Sequence, residues 1–253
     1  MPTRIEITSR SNPRLKQLLA GRDTRFFFAG EKLVRDILAR GVAVDVLIVD
    51  AALEKERAGD PALVRELWLV SSPVLEKVSG LKTPPPLVAV IDLPPQEIDF
   101  SSQRLTVGLV DVQDPGNLGT VFRCASAFGI PALALAGACA RPNNPKVVRA
   151  AQTAILDVPF QFFPDVDELV AAADNRGAHI YVTGSHAVAK QLDPEKMEFP
   201  CLVLFGNEGQ GLDQRLLQRF PQVRLQQKEG IDSLNVGVSS CILMHELMRL
   251  HGL

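Results

Sequence analysis

From Leu105 onward, short apolar runs alternate with stretches of helical spacing, and nothing else in the chain restricts its fold as much. The apolar runs Leu105–Val110, Ala132–Ala136 and Cys201–Phe205, with those at 179–182 and 223–225, read as strands. Helices are expected at 119–128, 146–153, 166–173 and 213–219, and a last one at 236–250. Strands separated by whole helices cannot pair through tight hairpins. Each must cross back over the sheet, which gives an α/β fold with a mostly parallel sheet and helices on both faces.

The preceding residues form a separate, smaller α/β unit. Helices are expected at 12–19 and 31–40, the second closed by Gly41, and strands at 44–49, 67–70 and 87–91. Phe26-Phe27-Phe28 reads as a buried strand and not as a platform for stacking bases. The stretch LPPQEIDFSSQR, polar with two prolines, is the linker candidate. The expected organisation is therefore a first domain over 1–93, a linker over 94–104 and a second domain over 105–253.

No apolar run reaches the length of a membrane span, and the N-terminus carries charges where a signal peptide needs an apolar stretch. A cytoplasmic protein is expected. Cys124, Cys139, Cys201 and Cys241 are scattered with no C-x-x-C pair, which argues against a metal site or a disulfide framework. His245-Glu246 lacks the second histidine of a zinc protease motif, since residue 249 is arginine. Cys241 reads as a small apolar residue of the last helix.

A net charge of −2 argues against a polyanionic partner, but the distribution argues for one. Residues 1–25 carry six basic side chains (Arg4, Arg10, Arg14, Lys16, Arg22, Arg25) against two acidic ones. Residues 115–156 contain no acid, yet hold Arg123, Arg141, Lys146 and Arg149. Two basic patches on an acidic background suit a protein that grips nucleic acid at chosen places.

Asp114-Pro115-Gly116-Asn117-Leu118-Gly119 follows a strand and precedes a helix, an arrangement that often holds phosphate or ribose. Its spacing is not G-x-G-x-x-G, and Arg141-Pro142-Asn143-Asn144 stand where a dinucleotide fold needs an acid for the ribose. A dehydrogenase is thereby disfavoured. Glycines 206, 209 and 211 follow another apolar strand, where they would let the backbone approach a ligand and adopt positive φ. Ser233 and Asn235 are N-cap residues for the last helix. Arg123 has no carboxylate nearby in sequence, which favours phosphate binding.

DPGNLGTVFR resembles the first signature motif of the SpoU, or TrmH, family of RNA ribose 2′-O-methyltransferases. LVLFGNEGQGL (202–212) resembles the second motif and IDSLNVGVSSCILMHEL (231–247) the third. NPKVVRAAQTAILDVPF resembles the intervening segment, with Gln152 and Thr153 where small residues are expected. RFFFAGEKLVRDIL resembles the family's N-terminal substrate-binding domain. The resemblance implies a trefoil-knotted catalytic domain, a homodimer, S-adenosyl-L-methionine as methyl donor and no metal. It implies catalytic roles for Asn117, Arg123, Glu208, Ser233 and Asn235. It implies donor contacts from Val182, Thr183, Gly206, Leu225, Ile231 and Leu234. The substrate would be a ribose 2′-OH of structured RNA, ribosomal more than transfer RNA. A non-catalytic RNA-binding or assembly protein on the same fold is the alternative from another class.

Overall fold

The computed structural model describes residues 2–53, 61–94, 96–184, 191–225 and 234–252. Ile231 and Ser233 lie outside these. The chain divides into two compact units, Met1–Pro94 with Asn143–Thr153, and Pro95–Pro142 with Ala154–Leu253.

In the first unit the chain runs β1 (Thr3–Ile7), α1 (Pro13–Ala20), β2 (Arg25–Ala29), α2 (Glu31–Ala39), β3 (Val44–Asp50), β4 (Val64–Val70), α3 (Ser72–Ser79) and β5 (Leu87–Asp92). The sheet order is β1-β4-β3-β5-β2; β1, β4 and β3 are parallel, while β5 and β2 join antiparallel. β1 and α3 were not foreseen. Phe26, Phe27 and Phe28 are buried in β2 as expected. Asn12 caps α1 and Pro13 opens it, so that Leu15 and Leu18 turn into a core with Ile7, Phe27, Ile48 and Trp68.

Not all of the N-terminal positive charge faces outward. The Arg22 guanidinium lies over the Phe27 ring and donates to the Val78 carbonyl, and burial lowers its pKa from the usual guanidinium value. Arg10 pairs with Glu76. Arg14 and Lys16 are exposed on α1, Arg14 lying 4.0 Å from the Glu66 carboxylate.

Asn143–Thr153 clusters with this unit although it lies far along the chain. The Asn143 amide donates to the carbonyls of Arg22 (3.1 Å) and Asp23 (2.6 Å). Its helix, Pro145–Ala151, ends at Gln152, held at φ 57°, ψ −134°. That region suits glycine and costs a glutamine about 1–3 kcal/mol. Gln152→Gly is accordingly expected to stabilise the protein by about 1 kcal/mol after the added unfolded-chain entropy. Calorimetry should show a transition raised by about 2–4 °C.

With α5 (Pro145–Ala151) assigned to the first unit, the second consists of β6 (Leu105–Val110), α4 (Pro115–Ala127), β7 (Ala132–Ala136), β8 (Phe160–Phe163), α6 (Val166–Asp174), β9 (His179–Thr183), β10 (Gln191–Leu192), β11 (Cys201–Phe205), α7 (Gln214–Arg219), β12 (Gln222–Val223) and α8 (Val236–His251). The sheet order is β10-β12-β9-β11-β6-β7-β8, and every pairing is parallel. β8 and β10 were missed, one an edge strand and the other two residues long. The expected linker 94–104 contributes Ile98 and Phe100 to this unit's core, where Phe100 meets Phe163 at 6.1 Å between ring centroids. Among the described residues no helix is long and apolar enough to cross a membrane.

The cysteine expectation needs correction. Cys124 on α4 and Cys241 on α8 form a disulfide, with their Cα atoms 5.5 Å apart. The pair is separated by 117 residues, so only the packing of α4 on α8 brings it together, and sequence spacing carries no sign of it. Cys139 and Cys201 are free and buried, and burial pushes their thiols up to about 11 and about 12.

Candidate active site

β6, β9, β11 and β12 end side by side, because Phe205 is in register with Leu109, Leu204 with Val182, and Val223 with Thr183. The chain reaches β7 and β8 on one side of β6 and then crosses to β9 on the other, with β11 inserted between β6 and β9. Such a reversal of direction leaves a crevice at the carboxyl ends of the strands.

A cavity of about 340 Å³ occupies that place, lined by Thr183, Gly184, the loop 206–212, and Gln222, Leu225 and Leu234 among others. The volume lies in the range of small-ligand sites. Of the expected donor contacts, Thr183, Gly206, Leu225 and Leu234 line it. Val182 is fully buried in the core and does not. Ile231 and Ser233 are outside the described residues.

The glycine loop closes on itself. Asn207 Oδ1 accepts from the backbone N–H groups of Gly209 (3.0 Å) and Gln210 (2.7 Å), and the Gly211 N–H donates to the Asn207 carbonyl (3.1 Å). Of its glycines only Gly211 has a positive φ, +69°. Gly206 is required for a different reason than the expected backbone freedom. A Cβ there would overlap the backbone of Gly211 and Leu212, because the loop folds back over it.

The expected glycine-rich turn 114–119 is also corrected, because it is the first turn and a half of a helix. Asp114 caps α4 by accepting from the Asn117 N–H at 2.9 Å, and Pro115 occupies the first helical position. These two start signals outweigh the poor helix propensity of Gly116 and Gly119. Asn117 is thereby fixed on a helix, and its side-chain amide donates to the Glu208 carboxylate, 91 residues away in sequence.

Asn235 caps α8, its Oδ1 accepting from the Val238 N–H at 3.2 Å. Gly237 lies between the two asparagines: a Cβ there would stand 3.1 Å from the Oδ1 atoms of both Asn117 and Asn235. Asn117, Glu208 and Asn235, taken from three distant motifs, therefore meet at the edge of the cavity. Arg123 does not join them. It is exposed on α4, is absent from the cavity wall, and forms no ion pair among the described residues.

Sequence reasoning missed Gln222, Gly184, Leu217, Ser239 and Leu243 as lining residues. Gln222 stands on a strand of two residues, too short for periodicity to mark it.

Comparison with known proteins places these features in context. The model of the SpoU rRNA Methylase family matches residues 104–245. The 23S rRNA (guanosine(2553)-2′-O)-methyltransferase RlmP of Bacillus subtilis is 31% identical, over 88% of each chain. The 23S rRNA (uridine(2479)-2′-O)-methyltransferase of Streptomyces viridochromogenes is 30% identical, over 98% of this chain and 93% of the relative. The crystal structure of an AdoMet-bound rRNA methyltransferase from Sinorhizobium meliloti superposes with a TM-score of 0.80 at 25% identity, over 97% of this chain and 98% of that one.

Proposed function

Because the chain belongs to the SpoU rRNA methylase family, we propose that it methylates a ribose 2′-hydroxyl of ribosomal RNA, with S-adenosylmethionine as donor. The observation that carries this reading is the meeting of Asn117, Glu208 and Asn235 beside a glycine-lined cavity at the carboxyl ends of parallel strands. The cavity suits the donor. The glycine loop offers backbone instead of side chains, and Leu225, Leu234 and Leu243 give apolar walls for a nucleoside.

The bound donor supplies an electrophilic methyl group on a sulfonium. Thr183, Gly206, Leu225 and Leu234 would hold it. The Glu208 carboxylate fixes the Asn117 amide, and Asn117 with Asn235 would orient the ribose 2′-hydroxyl toward the donor. Arg123, exposed and without an ion pair among the described residues, would grip an RNA phosphate next to the reacting nucleotide. Ser233 belongs to the same proposal.

The test is incubation with radiolabelled S-adenosylmethionine and separate pools of ribosomal and transfer RNA. Label in ribosomal RNA, resistant to alkaline cleavage as a 2′-O-methyl group should be, is expected. Label confined to transfer RNA would move the substrate to that class. RNA binding without donor affinity would favour the assembly-protein alternative.

The same proposal assigns RNA recognition to the expected first domain, residues 1–93, ahead of the catalytic part. The exposed pair Arg14 and Lys16 on α1 supports it. The double variant Arg14→Glu, Lys16→Glu is expected to weaken RNA binding about tenfold or more. It should also reduce the slope of log K against log salt by about two, with donor affinity unchanged. Filter binding over a salt series reads both. A homodimer, a knotted chain path and a cytoplasmic location complete the proposal. Val238 and Ile242, one turn apart on α8 and 49% and 45% exposed, are an apolar stripe that a second copy would cover.

A further inference from the structure

The cavity contains one polar side chain whose local structure satisfies only half of it. Gln222, on β12, is 4% exposed. Its Nε2 donates to the Leu217 carbonyl at 3.0 Å, which fixes the orientation of the amide. Its Oε1 accepts no hydrogen bond among the described residues, yet the residue lines the cavity. Gly184 stands in front of this oxygen, and a Cβ at that position would come within 2.9 Å of it.

Gln210 and Gln214 also line the wall but are exposed, while the other polar side chains have partners. Thr183 Oγ1 donates to the Leu204 carbonyl at 3.0 Å, and Ser239 Oγ to that of Val236 at 3.3 Å. Asn207 Oδ1 takes two backbone N–H groups of its own loop, and Glu208 takes the Asn117 amide. An acceptor held in place and turned toward the cavity is ready for a ligand N–H or O–H, which would replace water there.

We infer that Gln222 Oε1 is a specificity contact for the methyl donor, accepting a hydrogen bond from its adenosine half. A neutral amide suits the neutral donors of that half, the adenine amino group and the ribose hydroxyls. The ammonium of the methionine half calls for a carboxylate, and Glu208, the one carboxylate among the described lining residues, binds Asn117 through Oε1 and keeps its second oxygen for such a partner. The inference rests on the cavity being the donor site.

The experiment is calorimetry of the full chain with two probes, S-adenosylmethionine and 5′-methylthioadenosine, which lacks the amino-acid half. Gln222→Met removes the acceptor at similar volume, and Gln222→Asn withdraws it by one carbon. Each is expected to weaken both probes about tenfold, to raise the KM for S-adenosylmethionine by a similar factor, and to leave kcat and the KM for RNA near wild type. The Asn variant stands in if the Met variant does not fold. Wild-type affinity for both probes in a folded variant overturns the inference alone. So does a loss confined to S-adenosylmethionine, which would assign the contact to the amino-acid half. No binding of S-adenosylmethionine by the wild-type chain overturns the donor-site reading, and this inference with it.

Discussion

Gly206→Val is expected to abolish S-adenosylmethionine binding, lowering affinity by more than a hundredfold. The residue added at 206 meets backbone and not the movable end of a side chain, since its Cβ would overlap Gly211 and Leu212. The loop has to open to admit it, and the pairing of Asn207 with Gly211 is lost with that movement. Overpacking of this kind costs about 1–3 kcal/mol or more, and here it falls on the cavity wall. Because the clash begins at the Cβ, Gly206→Ala should be nearly as damaging as Val. Gly209→Ala is the control, since its Cβ would meet nothing nearer than Asn207 Oδ1 at 3.8 Å. Circular dichroism should first establish folding, and calorimetry then reads donor affinity. Normal affinity in folded Gly206→Ala would remove the loop from the donor site.

Arg123→Ala is expected to reduce methyl transfer by at least a hundredfold while donor affinity stays within twofold of wild type. The side chain is exposed, lies off the cavity wall, and forms no ion pair among the described residues, so its loss should not disturb the fold. A guanidinium that grips phosphate places the ribose. Misplacement at that distance reaches the rate through geometry. Single-turnover transfer, measured beside calorimetric donor binding, separates the two effects. Turnover within tenfold of wild type would strike Arg123 from the site.

The regular part of the second unit was legible because its physics is local. Buried parallel strands read as apolar runs, and Leu105–Val110, Ala132–Ala136 and Cys201–Phe205 lie at the expected positions. What the sequence concealed depends on contacts across the chain. The pairing of Asn117 with Glu208, the disulfide between Cys124 and Cys241, and the lining role of Gln222 each join residues that no window of sequence contains together. The start of α4 was misread for a local reason, since glycine was weighed above the Asp-Pro start signal. Positive φ was assigned to a whole glycine cluster when one member has it, because composition marks permitted conformations and not adopted ones.

The place of β11 between β6 and β9 has a consequence for how the chain is made. β6 finds one neighbour, β7, within a few tens of residues, but its other edge pairs with Cys201–Phe205, about ninety residues later. At roughly 5–20 residues per second, that edge is exposed on the ribosome for on the order of 5–20 s before its partner has been synthesised. β9 is translated first and must leave a gap one strand wide, about 4.8 Å from each flank, instead of docking on β6 directly. An apolar strand edge kept open that long is a template for mispairing with another nascent chain. The order of synthesis thus leaves an inner edge of this sheet open until β11 is made, and the β9 edge that takes β12 is covered later still.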